Sequence, residues 1–261
     1  MNLQNIITEI EKVDGEVFDR LQHVSRRHMF SAFAKKAVAA ASPVVLTAAI
    51  GQAYGQGSSL PGPVREVLNF ALGLENLEAE FYNKGLDMYP SLIPSEYKQV
   101  FDQIRVHENA HVALLKSVLG SAAEKKPTFD FTAKGTFPDV FSNFKTYTAV
   151  AQAFEDTGVR AYKGQAGKLM PYDAYLQVAL QIHSVEARHA ARLRMINMQK
   201  GWITGSTGFP PAVYAGEGET NQLGIDIASL PGSNANIATE AFDEPLTQDQ
   251  VLAIAFQFIV F

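Results

Sequence analysis

Four stretches of this chain carry an apolar stripe at helical spacing, and each stripe has a glutamate where the pattern asks for an apolar residue. The first runs Leu68, Leu72, Glu75, Ala79, Tyr82, Leu86. The second, after Pro94 with Ser95 as its expected cap, runs Tyr97, Phe101, Ile104, Glu108, His111, Leu115, Val118 and stops at Gly120. The third runs Phe141, Phe144, Thr148, Ala151, Glu155, Gly158, Tyr162, and the fourth Tyr172, Tyr175, Ala179, Ile182, Glu186, His189, Leu193, Ile196. The spacing predicts four helices of about 20–30 residues, the length used in helix bundles. A carboxylate buried without a partner costs several kcal/mol. Four of them, one per helix, need a shared counter-charge, and no stripe supplies enough inward lysine or arginine. The simplest neutraliser is a pair of metal cations.

The chain also repeats itself. Glu75 and Glu108 lie 33 residues apart, Glu155 and Glu186 lie 31 apart, and Tyr82 and Tyr162 each follow the first glutamate of their half by seven. The halves 64–119 and 138–200 therefore read as two helical hairpins joined by a crossover at 120–137. Each hairpin ends in Glu-x-x-His: Glu108 with His111, and Glu186 with His189. Two such pairs, one per half, are more than six histidines would place there by accident. Residues i and i+3 share a helix face, so a carboxylate oxygen and an imidazole nitrogen can reach one ion. The chain has no cysteine, which removes disulfides, thiolate metal sites and a cysteine nucleophile together. Oxygen-rich ligation with two imidazoles favours iron, with manganese or a mixed pair as the alternative. Six protein ligands for two metals leave positions open to oxygen or peroxide.

"HENAH" (107–111) is also the H-E-x-x-H pattern of zinc proteases. That reading needs His107 and His111 on one ion, with Glu108 as base and a third ligand downstream. The stripe instead runs through 108 and 111, and no third ligand follows. His107 and His183 read as helix-flank histidines that pair with a neighbour. Glu78, three residues past Glu75, competes with Glu75 for the ligand position on the first helix; the heptad position and the tyrosine at +7 favour Glu75.

"LNFALGLENLEAEFY" (68–82) resembles the first-helix signature of the ferritin-like superfamily. "FEDTGVRAYKGQA" (154–166), "HSVEARHAARLR" (183–194) and "EAFDEPLT" (240–247) resemble bacterial ferritin-like domain proteins related to plant desiccation-associated proteins. The resemblance covers roughly residues 60–261. It implies an all-α, ferritin-like four-helix bundle with a long irregular C-terminal segment and a short terminal helix. It further implies two iron ions, with Glu75 and Glu155 as terminal carboxylates, Glu108 and Glu186 bridging, and His111 and His189 each completing one metal. Tyr82 and Tyr162, with Glu78, would stand behind these ligands. The expected partners are metal ions and small oxidants, and the expected chemistry is oxidation of Fe(II) by oxygen or peroxide in stress protection. The other function this family allows is a non-catalytic, desiccation-associated bundle whose metals are structural.

Residues 1–57 read as an extension and export signal. Residues 1–24 have helical spacing (Ile6, Ile10, Val13, Val17, Leu21). "SRRHMF" (25–30) carries Arg26 and Arg27, an apolar run follows at 37–50, and "GQA" (51–53) supplies small residues for cleavage after Ala53. The order resembles a twin-arginine signal, with Met29 where that pattern usually has phenylalanine, and implies a periplasmic or secreted protein. The apolar run, interrupted by Pro43, is shorter than the roughly 18–20 residues a spanning helix needs, so no membrane span is expected in the mature chain. A net charge of −5 gives no reason to expect nucleic acid. The bundle is expected over 58–200 and a wrapping segment over 201–261, with Trp202, Phe209 and Tyr214 as anchors. "TQDQVLAIAFQFIVF" (247–261) opens with a capping box at Thr247 and Gln250. It is too apolar for water, so it should pack on the bundle or form a contact between subunits of a homo-oligomer.

Overall fold

The stripes become four long helices in a computed structural model that describes residues 60–260. Helix α1 spans Gly62–Met88, α2 Ser95–Leu119, α3 Phe144–Leu169 and α4 Asp173–Ile196. The expected export signal lies outside the described residues. Local chemistry sets the helix ends. Proline stands in the first turn of α1, where its missing N–H costs no hydrogen bond. Ser95 is the first helical residue of α2, not its cap; its hydroxyl turns to Glu96, and Pro94 holds the cap position. Gly120 ends α2 at φ 54°, a conformation that favours glycine. Asn143 caps α3 by accepting from the Lys145 backbone N–H at 3.0 Å. Phe141, placed on the third stripe by its spacing, sits in the turn just before α3.

Helix α1 packs along α2, α3 packs along α4, and the two hairpins meet through α1 and α3. Aromatic rings lock that meeting. Phe81 of α1 stacks on Tyr147 of α3 with centroids 4.5 Å apart, and meets Phe154 of α3 edge-on at 5.2 Å. Such pairs add about 0.5–1.5 kcal/mol each beyond the area they bury. The crossover runs on to Asn143. It contributes β1 (Thr128–Phe129), which is tied down from the far end of the chain, as described below.

After α4 the chain has little regular structure. It forms a small hairpin of β2 (Asn221–Gln222) with β3 (Ile225–Asp226), a short α5 (Ala235–Ala241), and then α6 (Gln248–Ala255). Of the three expected anchors only Tyr214 is buried; Trp202 and Phe209 are exposed. The stronger anchor is Arg160 of α3, fully buried. Its guanidinium donates to the backbone carbonyls of Val213, Ala215 and Glu244 and faces the Glu217 carboxylate at 2.7 Å. Gly164 lets the chain at Leu246 lie directly against α3, since a Cβ there would collide with the Leu246 carbonyl. The capping box of α6 is present, and Val251, Ile254 and Ala255 bury its apolar face on the chain's own bundle. The helix is shorter than its apolar sequence invites. It gives way to a turn at Phe256–Phe258, and β4 (Ile259–Val260) pairs antiparallel with β1. No helix among the described residues is long and apolar enough to cross a membrane.

Candidate metal centre

The four mid-stripe glutamates meet at the bundle axis. Glu75, Glu108, Glu155 and Glu186 are each 0% exposed, and His111 and His189 are buried beside them. Ligand-type atoms form two groups, each within 4.8 Å: Glu75, Glu108, His111 and Glu186 in one, Glu108, Glu155, Glu186 and His189 in the other. Glu108 and Glu186 belong to both. Each group draws on three helices, and the two together on all four, so only the assembled bundle creates them.

The two groups mirror each other. His111 Nδ1 lies 3.1 Å from Glu75 Oε2 and 3.3 Å from Glu108 Oε2. His189 Nδ1 lies 3.1 Å from Glu155 Oε2 and 2.9 Å from Glu108 Oε1. Tyr82 donates to Glu155 Oε1 at 2.6 Å, and Tyr162 donates to Glu75 Oε1 at 2.5 Å. Burial, reinforced by the adjoining carboxylates, holds both phenols well above the usual tyrosine range, so they remain donors. The central pair is treated differently. Both oxygens of Glu186, and Oε1 of Glu108, are buried without a hydrogen bond; the short approach of His189 to Glu108 Oε1 lacks hydrogen-bond alignment.

The charges show what the site lacks. Burial and the charges of Glu108 and Glu155 push Glu186 well above the usual carboxylate range, and burial with Glu155 and Glu75 raises Glu108 to about 7. Burial opposes charge on the imidazoles, but Glu75 and Glu108 together outweigh it at His111, raised to about 11, and Glu155 and Glu108 together do so at His189, raised to about 10. Burial would also raise Glu75, yet the charge of His111, joined by hydrogen bonds from His111 and Tyr162, leaves it lowered. Left to themselves, these side chains use protons as counter-charge. Orphaned carboxylate oxygens facing two imidazoles fit a pair of oxygen- and nitrogen-preferring cations, and the residues suit the group.

Glu78 is 3% exposed and close enough for Glu155, Glu75 and Glu108 to reinforce the upward push of burial on its carboxyl. It belongs to neither group, which leaves Glu75 as the α1 member. Opposite it stands Gly158 on α3; a Cβ added there would stand 2.7 Å from Glu186 Oε2 and 3.4 Å from Glu78 Oε1. The zinc-protease reading needs His107 and His111 on one ion, but His107 belongs to neither group and meets His189 at 2.9 Å. His183 also stands outside both groups. Two polar features of α3 escaped the periodicity: Arg160, and Asp156, buried in a two-point pair with Arg194 and accepting from Tyr214 at 2.8 Å. Arg160 is held by the segment after α4, and Asp156 by Arg194 of α4 together with Tyr214 of that segment, pairings that no local spacing could show.

A bundle of two like hairpins that converges four carboxylates and two imidazoles defines the class: a ferritin-like protein whose interior can hold metal. The sequence model of the ferritin-like domain matches residues 64–199, just over half of the chain, and the chain belongs to that family. No curated protein matches it.

Proposed function

We propose that the protein is an exported di-iron carboxylate protein that oxidises Fe(II) with oxygen or peroxide in stress protection. One observation carries the reading: Glu108 and Glu186 are shared between two metal-sized groups and keep buried oxygens with no hydrogen bond. Glu75 with His111, and Glu155 with His189, would hold the outer sides of two ions, and Glu108 and Glu186 the space between. Two iron ions held this way supply the electron pair that reduces peroxide to water. The chain's own part is to orient and to exclude. Tyr82 and Tyr162 fix the outer carboxylates, so ligand geometry is set before metal arrives. The aromatic layer of Phe81, Tyr147 and Phe154 keeps bulk water from that part of the bundle. Glu78 holds a proton beside the site.

The motif at 25–53 supports export, and the resemblance to desiccation-associated proteins supports a stress role. To test the reading, purified protein is loaded anaerobically with Fe(II), oxygen or peroxide is admitted, and ferric absorbance is followed with oxidant consumed over repeated additions. Consumption that continues with each Fe(II) addition is expected. Binding of two equivalents without use of oxidant would mean a structural metal site in a non-catalytic bundle. Metal analysis of protein from its native compartment decides between iron and manganese.

A further inference from the structure

The four glutamates, two histidines and two tyrosines of the centre match between the halves, but the residue next to each Glu-x-x-His pair does not. His107 precedes Glu108, whereas Val185 precedes Glu186. His107 Nδ1 stands 2.9 Å from His189 Nε2. The two rings are within 10° of parallel and their centroids are 5.1 Å apart. With nitrogens only 2.9 Å apart, five-membered rings reach that separation only edge to edge, so the bond lies in both ring planes. His111 has no counterpart, and its hydrogen bonds among the described residues all use Nδ1. Resting on the two-ion reading above, we infer that His107 is a positioning residue that makes the two metal positions unequal, so that the ion beside His189 is held more tightly than the ion beside His111.

The argument follows the protons. His189 presents Nδ1 to Glu155 and Glu108, so as a ligand it carries its hydrogen on Nε2. That hydrogen donates to His107 Nδ1, which must be the bare nitrogen of a neutral ring. His107 then carries its own hydrogen on Nε2, where the Gln103 amide stands 2.7 Å away and presents its oxygen after a half-turn. The Gln103–His107–His189 series fixes one tautomer and one ring orientation, and makes the ligating nitrogen more basic. Support of this kind changes metal affinity about 10–100-fold when removed.

Cobalt(II) alone, titrated into the full chain and read by calorimetry and visible absorption, tests this. The native protein is expected to bind two equivalents in two resolved steps. H107A should weaken the tighter step by about 10–100-fold and alter the second far less, while H107N, which keeps an acceptor in place, should restore most of the loss. Thermal melts without metal check that each variant folds. Should H107A not fold, V185H gives the reverse test, since it supplies His111 with the missing partner and should tighten the weaker step. Native protein binding two ions, with both steps unchanged or equally weakened in H107A, overturns the inference alone. No change in V185H also overturns it. Native protein that binds fewer than two ions overturns the two-ion reading, and the inference with it.

Discussion

Tyr82 of α1 donates its phenolic hydrogen to Oε1 of Glu155 on α3, at 2.6 Å across the junction of the two hairpins. Tyr162 returns the contact to Glu75. Each hairpin thus positions the outer carboxylate of the other, and the centre is complete only when both dock. Y82F should leave a buried carboxylate oxygen short of a donor. The metal-free protein should lose about 1–3 kcal/mol of stability, measured by denaturant unfolding. Metal affinity should fall about 10–100-fold. Unchanged affinity would mean that Tyr82 only fills space.

Gly158 separates helix propensity from site geometry. In a helix interior alanine is preferred to glycine by about 1 kcal/mol, so G158A should hold or raise the stability of the metal-free bundle. The added methyl would crowd Glu186 and, less severely, Glu78. Glu186 belongs to both groups, so its displacement should abolish one metal equivalent and weaken the other. A titration that still shows two native steps would refute this.

The bundle and the residues that converge in it were legible because they follow from local periodicity. A glutamate in an apolar stripe reports its own burial, and Glu-x-x-His reports a shared face, so Glu75, Glu108, His111, Glu155, Glu186 and His189 could be picked out one helix at a time. Glu78 against Gly158 was not legible, since their meeting depends on how deeply α1 and α3 interpenetrate. Nor was the His107–His189 bond, which joins residues 82 apart on helices that the sequence does not show to be neighbours. The wrapping segment failed for a related reason. Aromatic residues promised anchors, but backbone carbonyls hold that segment, and carbonyls carry no residue-specific signal. Arg160 binds them because a buried guanidinium with five donors needs several acceptors at once.

Metal binding should release protons. At neutral pH His111 and His189, raised to about 11 and about 10, are charged, Glu186 is protonated, and Glu108, near 7, is partly so. Ligation requires all four to lose their protons, between about three and four in total near neutral pH. Calorimetry in buffers of different ionisation enthalpy counts them, and fewer than one would contradict the arrangement. The metal-free protein has its own pH profile. The imidazole contributions are fully present below about 6.5 and lost as pH rises through 10–11, and that of Glu108 is lost as pH climbs from 4.5 through about 7. Glu75, lowered in the fold, acts oppositely, and its share disappears on acidification below 4.5. The melting temperature without metal should therefore peak near about pH 4–5 and fall toward pH 10. With metal bound the alkaline fall should shrink, because the ions replace the protons.

Arg160 should matter to the wrapping segment and not to the metal. Its guanidinium faces the buried Glu217 carboxylate and three carbonyls, so R160M strands a buried acid and removes every donor at once. Breaking one side of such a pair costs about 3–5 kcal/mol. The loss should appear as a lower unfolding midpoint and as proteolytic cleavage within 201–246. Adding E217Q to R160M removes the stranded charge and should recover a large part of the stability, though not the carbonyl contacts, so cleavage should persist. Arg160 is outside both ligand groups, and the cobalt titration of R160M below its midpoint should match the native one. A variant that lost metal and segment together would show that the wrapping chain, and not the four helices alone, holds the carboxylates in register.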